Sequence, residues 1–185
     1  NDGYLHAFNV DDGSEAWAFL PPEFLGDQID LFIDNSSTDK IYGPDGSIRI
    51  QTIADNDGVI EPADGERVFL FFGMRRGGDA YYALDITRPD QPRVLWRKDS
   101  SDFPGMGQSW SSVTPTRVDI SGTSQNAYKL ALVIGGGYDA SQDATSTSTD
   151  SVGNSIYIVD TVTGDLLWHG ARSGGDENFA DSGRE

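Results

Sequence analysis

The sequence contains no cysteine, and only two of its 185 residues are histidine. The absence of cysteine excludes disulfide bonds, thiolate metal sites and cysteine nucleophiles, and it leaves the cellular compartment undecided. No apolar run has the length that a membrane span requires, and no signal peptide is recognisable. Because the chain starts at Asn1 and not at a methionine, we expect a fragment excised from a longer protein.

Basic residues are also scarce, since 13 lysines and arginines face 30 acidic residues and the formal net charge is −17. A field of this sign repels nucleic acids and anionic membranes and attracts cations. We therefore predict no nucleic-acid partner and no direct insertion into a membrane. A solvated acidic surface explains the charge as well as a specific cation site does. The two explanations differ in whether the acids of one loop have the spacing of cation ligands.

Three stretches repeat one order of features: an alternating strand, a turn, and a second strand that ends in tryptophan. They are GYLHAFNVDDGSEAW at Gly3–Trp17, DAYYALDITRPDQPRVLW at Asp79–Trp96, and GNSIYIVDTVTGDLLW at Gly153–Trp168. The residues at which the first strand gives way to the turn are Asn9, Asp85 and Asp160, which lie 76 and 75 residues apart. The tryptophan follows this residue by 8 positions in the first and third units and by 11 in the second. The constant spacing indicates an internal repeat.

Two further strands precede each of the last two tryptophan units. Alternation and β-branched or aromatic content predict them at residues 47–55 and 67–74, and again at 111–119 and 128–137. Four antiparallel strands repeated in tandem are typical of a β-propeller. We predict an all-β fold, a partial β-propeller of four-stranded antiparallel blades with Trp-ended repeat units. A flat sandwich is the alternative architecture.

The predicted organisation is a fragment of one propeller domain that covers residues 1–185. Its parts are a half blade at 1–20, an insertion at 21–45 with a helical turn or two near Phe24–Ile33, blades at 46–100 and 108–170, and a loose C-terminal tail at 171–185. Helix is expected to be sparse. Trp96 and Trp168 are expected to be buried in equivalent positions, because an indole can cover the seam between stacked sheets.

Several runs of the sequence resemble one protein family. NDGYLHAF, DDGSEAWAFLP, FFGMRRGGDAYYALDIT, GGGYDASQD and GNSIYIVDTVTGDLLW occur in this order between Asn1 and Trp168. They resemble the C-terminal propeller of the PilY/PilC proteins, the tip-associated adhesins and biogenesis factors of bacterial type IV pili. The runs FGMRRGG–YYALD and GGGYD carry the resemblance most specifically.

This resemblance implies a non-enzymatic protein of the bacterial cell surface, associated with the pilus and the outer membrane. It implies minor pilins and other pilus components as partners, together with a host or abiotic surface. It also implies that calcium modulates pilus extension, retraction or adhesion.

A candidate calcium loop lies at residues 53–64, IADNDGVIEPAD. Twelve-residue calcium loops place ligands at positions 1, 3, 5, 7, 9 and 12 and a glycine at position 6. With Gly58 at position 6, the predicted ligands are Asp55, Asp57, Val59 through its backbone carbonyl, Glu61 and Asp64. Ile53 at position 1 offers no side-chain oxygen, so weak binding or a ligand from elsewhere is expected. The alternative is an ordinary polar turn at Asn56–Gly58.

Other acidic and basic clusters are weaker candidates. Asp139, Asp143 and Asp150 share a long polar loop, which we expect to be flexible and solvated rather than a cation site. Arg76–Asp79 resembles an integrin-binding tripeptide with one glycine too many, so a tight turn is expected there. Asp119–Gly122 starts like a calcium loop but has no acids downstream, and the sequon Asn35–Ser37 means little in a bacterial chain.

No catalytic residue is predicted, and we expect no enzymatic activity. Nucleophile elbows and phosphate loops are absent, and His6 and His169 are expected to be surface residues of strands. The alternative function is a fragment of a quinone (PQQ)-dependent dehydrogenase, because such propellers carry similar blade motifs. That enzyme requires cationic anchors near the quinone, whereas Arg75, Arg76 and Arg93 lie in predicted turns. A structural scaffold without any ligand is the third possibility.

Overall fold

A computed structural model describes residues 2–33, 40–119, 128–144 and 149–179. The strands are β1 Leu5–Phe8, β2 Glu15–Phe19, β3 Arg49–Ile53, β4 Arg67–Gly73, β5 Tyr81–Asp85, β6 Arg93–Lys98, β7 Thr114–Asp119, β8 Tyr128–Gly135, β9 Ser155–Asp160, β10 Leu166–Ala171 and β11 Glu177–Asn178. One short α-helix, α1 at Gln28–Ile33, accompanies them. The all-β fold with sparse helix is thus confirmed. In these ranges, each helix falls short of the length and apolar character needed to cross a membrane.

The strands form three sheets that follow one another along the chain. The first sheet is the hairpin β1–β2, the second has the order β3-β4-β5-β6, and the third has the order β7-β8-β9-β10 with β11 beside β10. Only the β10–β11 pair is parallel among these neighbours in the described ranges. β11 lies in the stretch expected to be a loose tail, where the backbone N–H of Asp176 donates to the carbonyl of His169 at 2.7 Å.

The three tryptophan hairpins share one irregularity in their strand register. The tryptophan lies opposite a residue of the first strand, and the residue just before the tryptophan is skipped. The opposed pairs are Ala7–Trp17, Ala83–Trp96 and Ile158–Trp168, and the skipped residues are Ala16, Leu95 and Leu167. A β-bulge at the same place in each hairpin makes the three units equivalent in backbone geometry and not only in sequence. The repeat is confirmed.

The sheets stack face to face, with the second sheet in the middle. One core cluster lies between the first and second sheets and includes Phe72, Tyr82 and Phe24. The other lies between the second and third sheets and includes Phe71, Tyr81 and Leu132 among its buried residues. Because both faces of the second sheet are covered, β4 is buried at five consecutive positions, 69–73. Such continuous burial is why FLFFG has no polar residue.

Trp96 covers the seam between the second and third sheets. Its side chain is 6% exposed, and its indole Nε1 donates a hydrogen bond to the carbonyl of Thr161 at 3.0 Å. The indole lies on Gly164, where an added Cβ would be only 2.8 Å from the ring. The predicted role of the indole at a sheet seam is therefore confirmed for Trp96.

Trp168 corrects the expectation of equal burial. It occupies the same register position as Trp96, but it is only half-buried. The reason is that its face of the third sheet is not stacked on another sheet within the described ranges. Stacked four-stranded antiparallel sheets are the packing unit of a propeller, while the partial β-propeller itself stays a prediction.

Candidate functional site

The predicted calcium loop connects β3 to β4 and is shaped by its own carboxylates. Asp55 Oδ1 accepts a hydrogen bond from the backbone N–H of Asp57 at 3.0 Å, and Asp57 Oδ1 accepts one from Val59 at 2.8 Å. The backbone has positive φ at Asn56 (72°) and at Gly58 (95°). These local bonds give the tight turn that both the calcium-loop and the ordinary-turn interpretations require.

Glu66 holds the two ends of this loop together. Its side chain is buried, with 8% of its surface exposed. Its Oε1 accepts a hydrogen bond from the backbone N–H of Asp55 at 2.8 Å, and its Oε2 accepts one from Glu61 at 2.7 Å. Sequence reasoning missed Glu66, because it lies two residues beyond the twelve-residue window and a single acid before a strand is a weak signal.

Three predicted ligands line the same depression of the surface. Asp55, Glu61 and Asp64 line a depression of about 420 Å³ together with Glu66. Asp57 and Val59 do not line this depression. Val59 is 57% exposed to solvent. Among the described residues, no group of three or more His, Asp or Glu side chains is close enough to hold a metal ion.

The donor set nevertheless has the chemistry of a calcium site. Carboxylate and carbonyl oxygens are the ligands that Ca²⁺ prefers, and the loop offers both. The side chains of Glu61 and Asp64 make no hydrogen bond or ion pair with any other described residue, so their oxygens are available. Calcium binding here stays a prediction, with Asp55, Asp57, Val59, Glu61 and Asp64 as the predicted ligands.

A second cluster lies at the opposite end of the second sheet, where β4 leads into β5. We call it the arginine–aromatic cluster, and its members are Tyr42, Arg75, Arg76, Trp110, Tyr138 and Asp143. The Arg75 guanidinium lies 4.4 Å from the centroid of the Trp110 ring. Arg76 contacts Asp143 through two hydrogen bonds, with Nη1–Oδ2 at 2.7 Å and Nη2–Oδ1 at 3.2 Å. This cluster joins the second and third sheets.

Asp143 is therefore an ion-pair partner and not a member of a cation site. The Arg76 guanidinium and, next, the Tyr138 hydroxyl donate hydrogen bonds that lower the pKa of Asp143. Accepting from Tyr138 in turn raises the pKa of that phenol. Asp143 remains exposed, so the expectation of a solvated loop holds at this residue, whereas Asp139 of the same loop is buried and corrects it there. The tight turn expected at Arg76–Asp79 is found as a 3-10 turn at Arg75–Gly77.

Ser109 fixes the backbone beneath the arginine–aromatic cluster. It is 1% exposed, and its Oγ accepts a hydrogen bond from the N–H of Met74 at 2.7 Å. Its backbone N–H donates to the carbonyl of Gly78 at 3.0 Å. At Gly73 an added Cβ would lie 2.6 Å from the carbonyl oxygen of Ser109, so only glycine allows this approach. Close backbone packing thus explains the first glycine of the FGMRRGG run.

The chain resembles known proteins both in sequence and in fold. The chain is 36% identical over 115 residues to the type IV pilus biogenesis factor PilY1 homolog of Xylella fastidiosa, which covers 60% of this chain. It is 32% identical over 146 residues to the type IV pilus biogenesis factor PilY1 of Pseudomonas aeruginosa (strain UCBPP-PA14), which covers 77% of this chain. The chain is homologous to a segment of the PilY1 proteins. No family model matches it.

The fold agrees with this homology. The crystal structure of the Pseudomonas aeruginosa PilY1 C-terminal domain matches 94% of this chain with a TM-score of 0.60, at 24% identity. The match covers 29% of that domain. The chain spans only 8 to 11% of the length of the two PilY1 relatives. The resemblance carried by the tryptophan units and by the FGMRRGG and GGGYD runs is confirmed.

The remaining predicted acids do not meet around one point. Asp139 is buried, and its carboxylate accepts hydrogen bonds from the backbone N–H groups of Ser151 and Ser141. Those bonds, with Ser151 first, lower the pKa of Asp139 well below its usual range. The side chain of Asp150 takes no part in these bonds. The sequon Asn35–Ser37 and most of Asp119–Gly122 lie outside the described residues.

The two histidines lie in different sheets and different environments. His169 is buried, which corrects the expectation of a surface residue, and its ring stacks on Tyr157 with centroids 5.1 Å apart. His6 is partly exposed and has Glu15 Oε2 at 2.9 Å from Nδ1 and Asp2 Oδ2 at 2.9 Å from Nε2. The hydrogen bonds with Glu15 and then Asp2 raise the pKa of His6. Neither arrangement pairs a histidine with an accessible nucleophile.

Proposed function

We propose that this chain is a non-enzymatic scaffold segment of a type IV pilus biogenesis factor. The observation that carries the proposal is the sequence match to PilY1 over 77% of the chain, supported by the shared fold. By family relation, the parent protein acts in pilus extension, retraction and surface attachment. Its partners would be minor pilins and a host or abiotic surface, and its location the bacterial outer membrane and the pilus.

The two runs most specific for the family meet in space, which supports a role for their junction. Arg76 belongs to the FGMRRGG run and Asp143 follows the GGGYD run, and they form the two-bond ion pair of the arginine–aromatic cluster. A guanidinium that binds a carboxylate in this forked geometry orients both partners. The junction would hold neighbouring sheets in a fixed relation, as a scaffold requires.

The pilus function is tested in the bacterium that makes the full-length parent protein. Deletion of its gene is expected to reduce surface pili and surface attachment, and the wild-type gene is expected to restore both. Electron microscopy and a crystal-violet attachment assay measure the two effects. Normal piliation and attachment after deletion would overturn the proposal.

Calcium modulation is the second part of the proposal, and the loop at residues 53–64 would carry it. Clustered carboxylates repel one another, and a divalent cation removes this repulsion. Without a side-chain ligand at Ile53, we expect a dissociation constant of about 10⁻⁴–10⁻³ M. Binding would stabilise the folded chain by about 2.7 kcal/mol at a hundredfold excess over the dissociation constant.

The calcium test compares two substitutions that remove the same charge. Asp57→Asn keeps an oxygen that can accept the Val59 hydrogen bond but removes a ligand charge. Asp11→Asn changes an exposed turn residue of the first hairpin. We expect calcium to raise the melting temperature of wild type and of Asp11→Asn, and to have a much smaller effect on Asp57→Asn. A flat calorimetric titration of wild type at millimolar calcium would favour the scaffold without a ligand.

The dehydrogenase alternative lacks free cationic anchors at the arginine–aromatic cluster. Arg76 is bound to Asp143, and Arg75 lies 3.4 Å from Asp45. Reconstitution of the full-length parent with pyrroloquinoline quinone and calcium, followed by a dye-reduction assay with alcohols and sugars, is expected to give no turnover above the protein without quinone. Turnover above that level would contradict the non-enzymatic proposal.

A further inference from the structure

The longer turn of the second tryptophan hairpin builds a pocket. The 11 residues from Asp85 to Trp96 replace the 8 of the other two hairpins. The pocket has a volume of about 400 Å³ and lies between this turn and the start of β4. Its polar lining consists of Arg67, Asp85, Thr87, Arg88, Gln91 and Arg93. The sequence insertion that distinguishes the second repeat is thus the part of the chain that shapes the pocket.

Three guanidinium groups line this pocket without a carboxylate partner. Arg67, Arg88 and Arg93 take part in no salt bridge with the described residues. Several other cations of those residues are paired with carboxylates, as Lys129 Nζ is with Asp160 Oδ2 at 2.7 Å, whereas Arg49 has no ion pair there. In a chain of net charge −17, three unpaired arginines in one concavity are a local reversal of charge.

The pocket contains one opposing charge, which is already engaged. Asp85 Oδ1 accepts hydrogen bonds from the backbone N–H and the hydroxyl of Thr87. The lining therefore carries three positive charges against one negative charge. Glu61 and Asp64, close in sequence to the lining residues Pro62 and Ala63, line a different depression. A bound ion inside the pocket would thus contact the three guanidinium groups of the lining and not the carboxylates of Glu61 and Asp64.

Hydrogen bonds hold the walls of the pocket in place. Arg67 Nη1 donates to the carbonyls of Pro62 at 3.0 Å and Glu66 at 2.6 Å, and its Nε and Nη2 groups donate to no other described residue. The N–H of Gln91 donates to the carbonyl of Arg88 at 2.9 Å and closes the turn. Pro89 and Pro92 restrict the backbone of that turn further. The turn backbone and the Arg67 side chain are thus held in place, which reduces the conformational entropy that these groups lose when a ligand binds.

We propose that this pocket binds a multivalent oxyanion, a phosphate or sulfate group. Arginine recognises such groups through paired N–H donors in a planar fork, and three forks match a group with several charged oxygens. A pocket of about 400 Å³ has room for the sugar to which such a group is attached. The proposal does not depend on the pilus function or on calcium.

The test uses isothermal titration calorimetry of the full chain at fixed ionic strength. The probes are pyrophosphate and a trisulfated disaccharide, which separate free phosphate from a sugar sulfate. Arg88→Gln and Arg93→Gln are each expected to weaken binding of the preferred probe by about tenfold, because each removes a charge-assisted contact. Arg49→Gln is the matched control, since Arg49 is an exposed arginine of the same sheet that lies outside the pocket and forms no ion pair with a described residue.

A substitution that removes a negative charge from the pocket, and not a positive one, completes the experiment. Asp85→Asn keeps an oxygen acceptor for Thr87 and removes the one negative charge of the lining, so it is expected to tighten binding about threefold. Binding of either probe that weakens only in the two pocket variants supports the proposal. Absence of binding to wild type with both probes, or equal weakening in Arg49→Gln, overturns it.

Discussion

The second and third sheets contain the same hairpin and the same bulge, yet they bury it differently. Trp96 is 6% exposed beneath the turn of the third sheet, whereas Trp168 is half-buried. On β5 every residue from Tyr81 to Leu84 is buried, whereas on β9 burial alternates and Ile156 is 41% exposed. The difference shows that the hairpin determines where the indole lies, and the neighbouring sheet determines how much of it is buried.

The exposed face of the third sheet is still apolar in sequence. Ile156 and Ile158 alternate with buried residues on β9, and Trp168 lies opposite Ile158. Phe179 partly covers the same face, since an added Cβ at Gly170 would lie 2.4 Å from the Trp168 ring and 2.6 Å from the Phe179 ring. An apolar strand pattern therefore predicts that a sheet face favours burial. The pattern does not predict which segment of the chain packs against that face.

The largest expected effect is the loss of a tryptophan from the covered seam. Trp96→Ala removes a buried indole and its hydrogen bond to Thr161, and we expect the free energy of unfolding to fall by about 3–5 kcal/mol. Trp168→Ala is expected to lower it by only about 1–2 kcal/mol, because less apolar surface is buried there. Urea denaturation followed by circular dichroism measures both. Equal losses would contradict the difference between the two sheets.

The contact of Trp96 with the next turn can be isolated by a matched pair of glycines. Gly164 and Gly13 occupy the same position after the strand, with φ of 71° and 73°, and each N–H donates to the residue four positions earlier. Alanine at either position is strained by about 1–2 kcal/mol. The Cβ of Gly164→Ala also meets the Trp96 ring, whereas a Cβ added at Gly13 would meet no other described residue within 4 Å.

We therefore expect Gly164→Ala to lower the unfolding free energy by about 1–3 kcal/mol more than Gly13→Ala does, because the indole must move. Denaturant titration of the two variants measures this difference. If the two substitutions have the same effect, the indole does not constrain the turn of the third sheet.

A smaller effect is expected for the loop of the second sheet. Glu66→Gln replaces one of the two carboxylate oxygens by an NH₂ group. That group is a donor, so it cannot accept the hydrogen bond of the backbone N–H that it faces. We expect a loss of about 1–2 kcal/mol in the free energy of unfolding. Glu61→Gln is the control, because that side chain is exposed and makes no hydrogen bond with the described residues. A loss of the same size in both variants would show that Glu66 does not organise the loop.

The smallest effect concerns the pH dependence of the junction between the second and third sheets. The pKa of Asp143 is lowered from its ordinary value of 3.8 by Arg76 and Tyr138. A lowered pKa in the folded chain means that the stabilisation is present above the ordinary value and is lost as pH falls through the folded value. NMR titration of the Asp143 carboxyl carbon is expected to show the lowered pKa in wild type.

Arg76→Gln provides the comparison for this titration. Without the guanidinium, the pKa of Asp143 is expected to rise toward 3.8, and the change in stability between pH 5 and pH 2 is expected to become smaller. A carboxyl that titrates alike in wild type and in the variant would exclude the ion pair as a link between the sheets in solution.

The sequence by itself determined the local structure of this protein. The alternation of GNSIYIVD, the turn after Asp160 and the returning strand depend on residues that are neighbours in the chain, and β9 and β10 form there. The spacing of 76 and 75 residues predicted the equivalence of the three hairpins, and their shared bulge agrees with it. Local patterns are readable because strand and turn preferences act over a few residues.

Only the tertiary structure decided which groups meet across the sheets. Arg76 and Asp143 are 67 residues apart, and nothing in either neighbourhood marks the other as its partner. The same holds for Trp96 and Thr161, which are separated by 65 residues. The three arginines of the oxyanion pocket likewise come from two strands and a turn. Such contacts follow from the way whole sheets stack, because packing brings together side chains that the linear sequence keeps far apart.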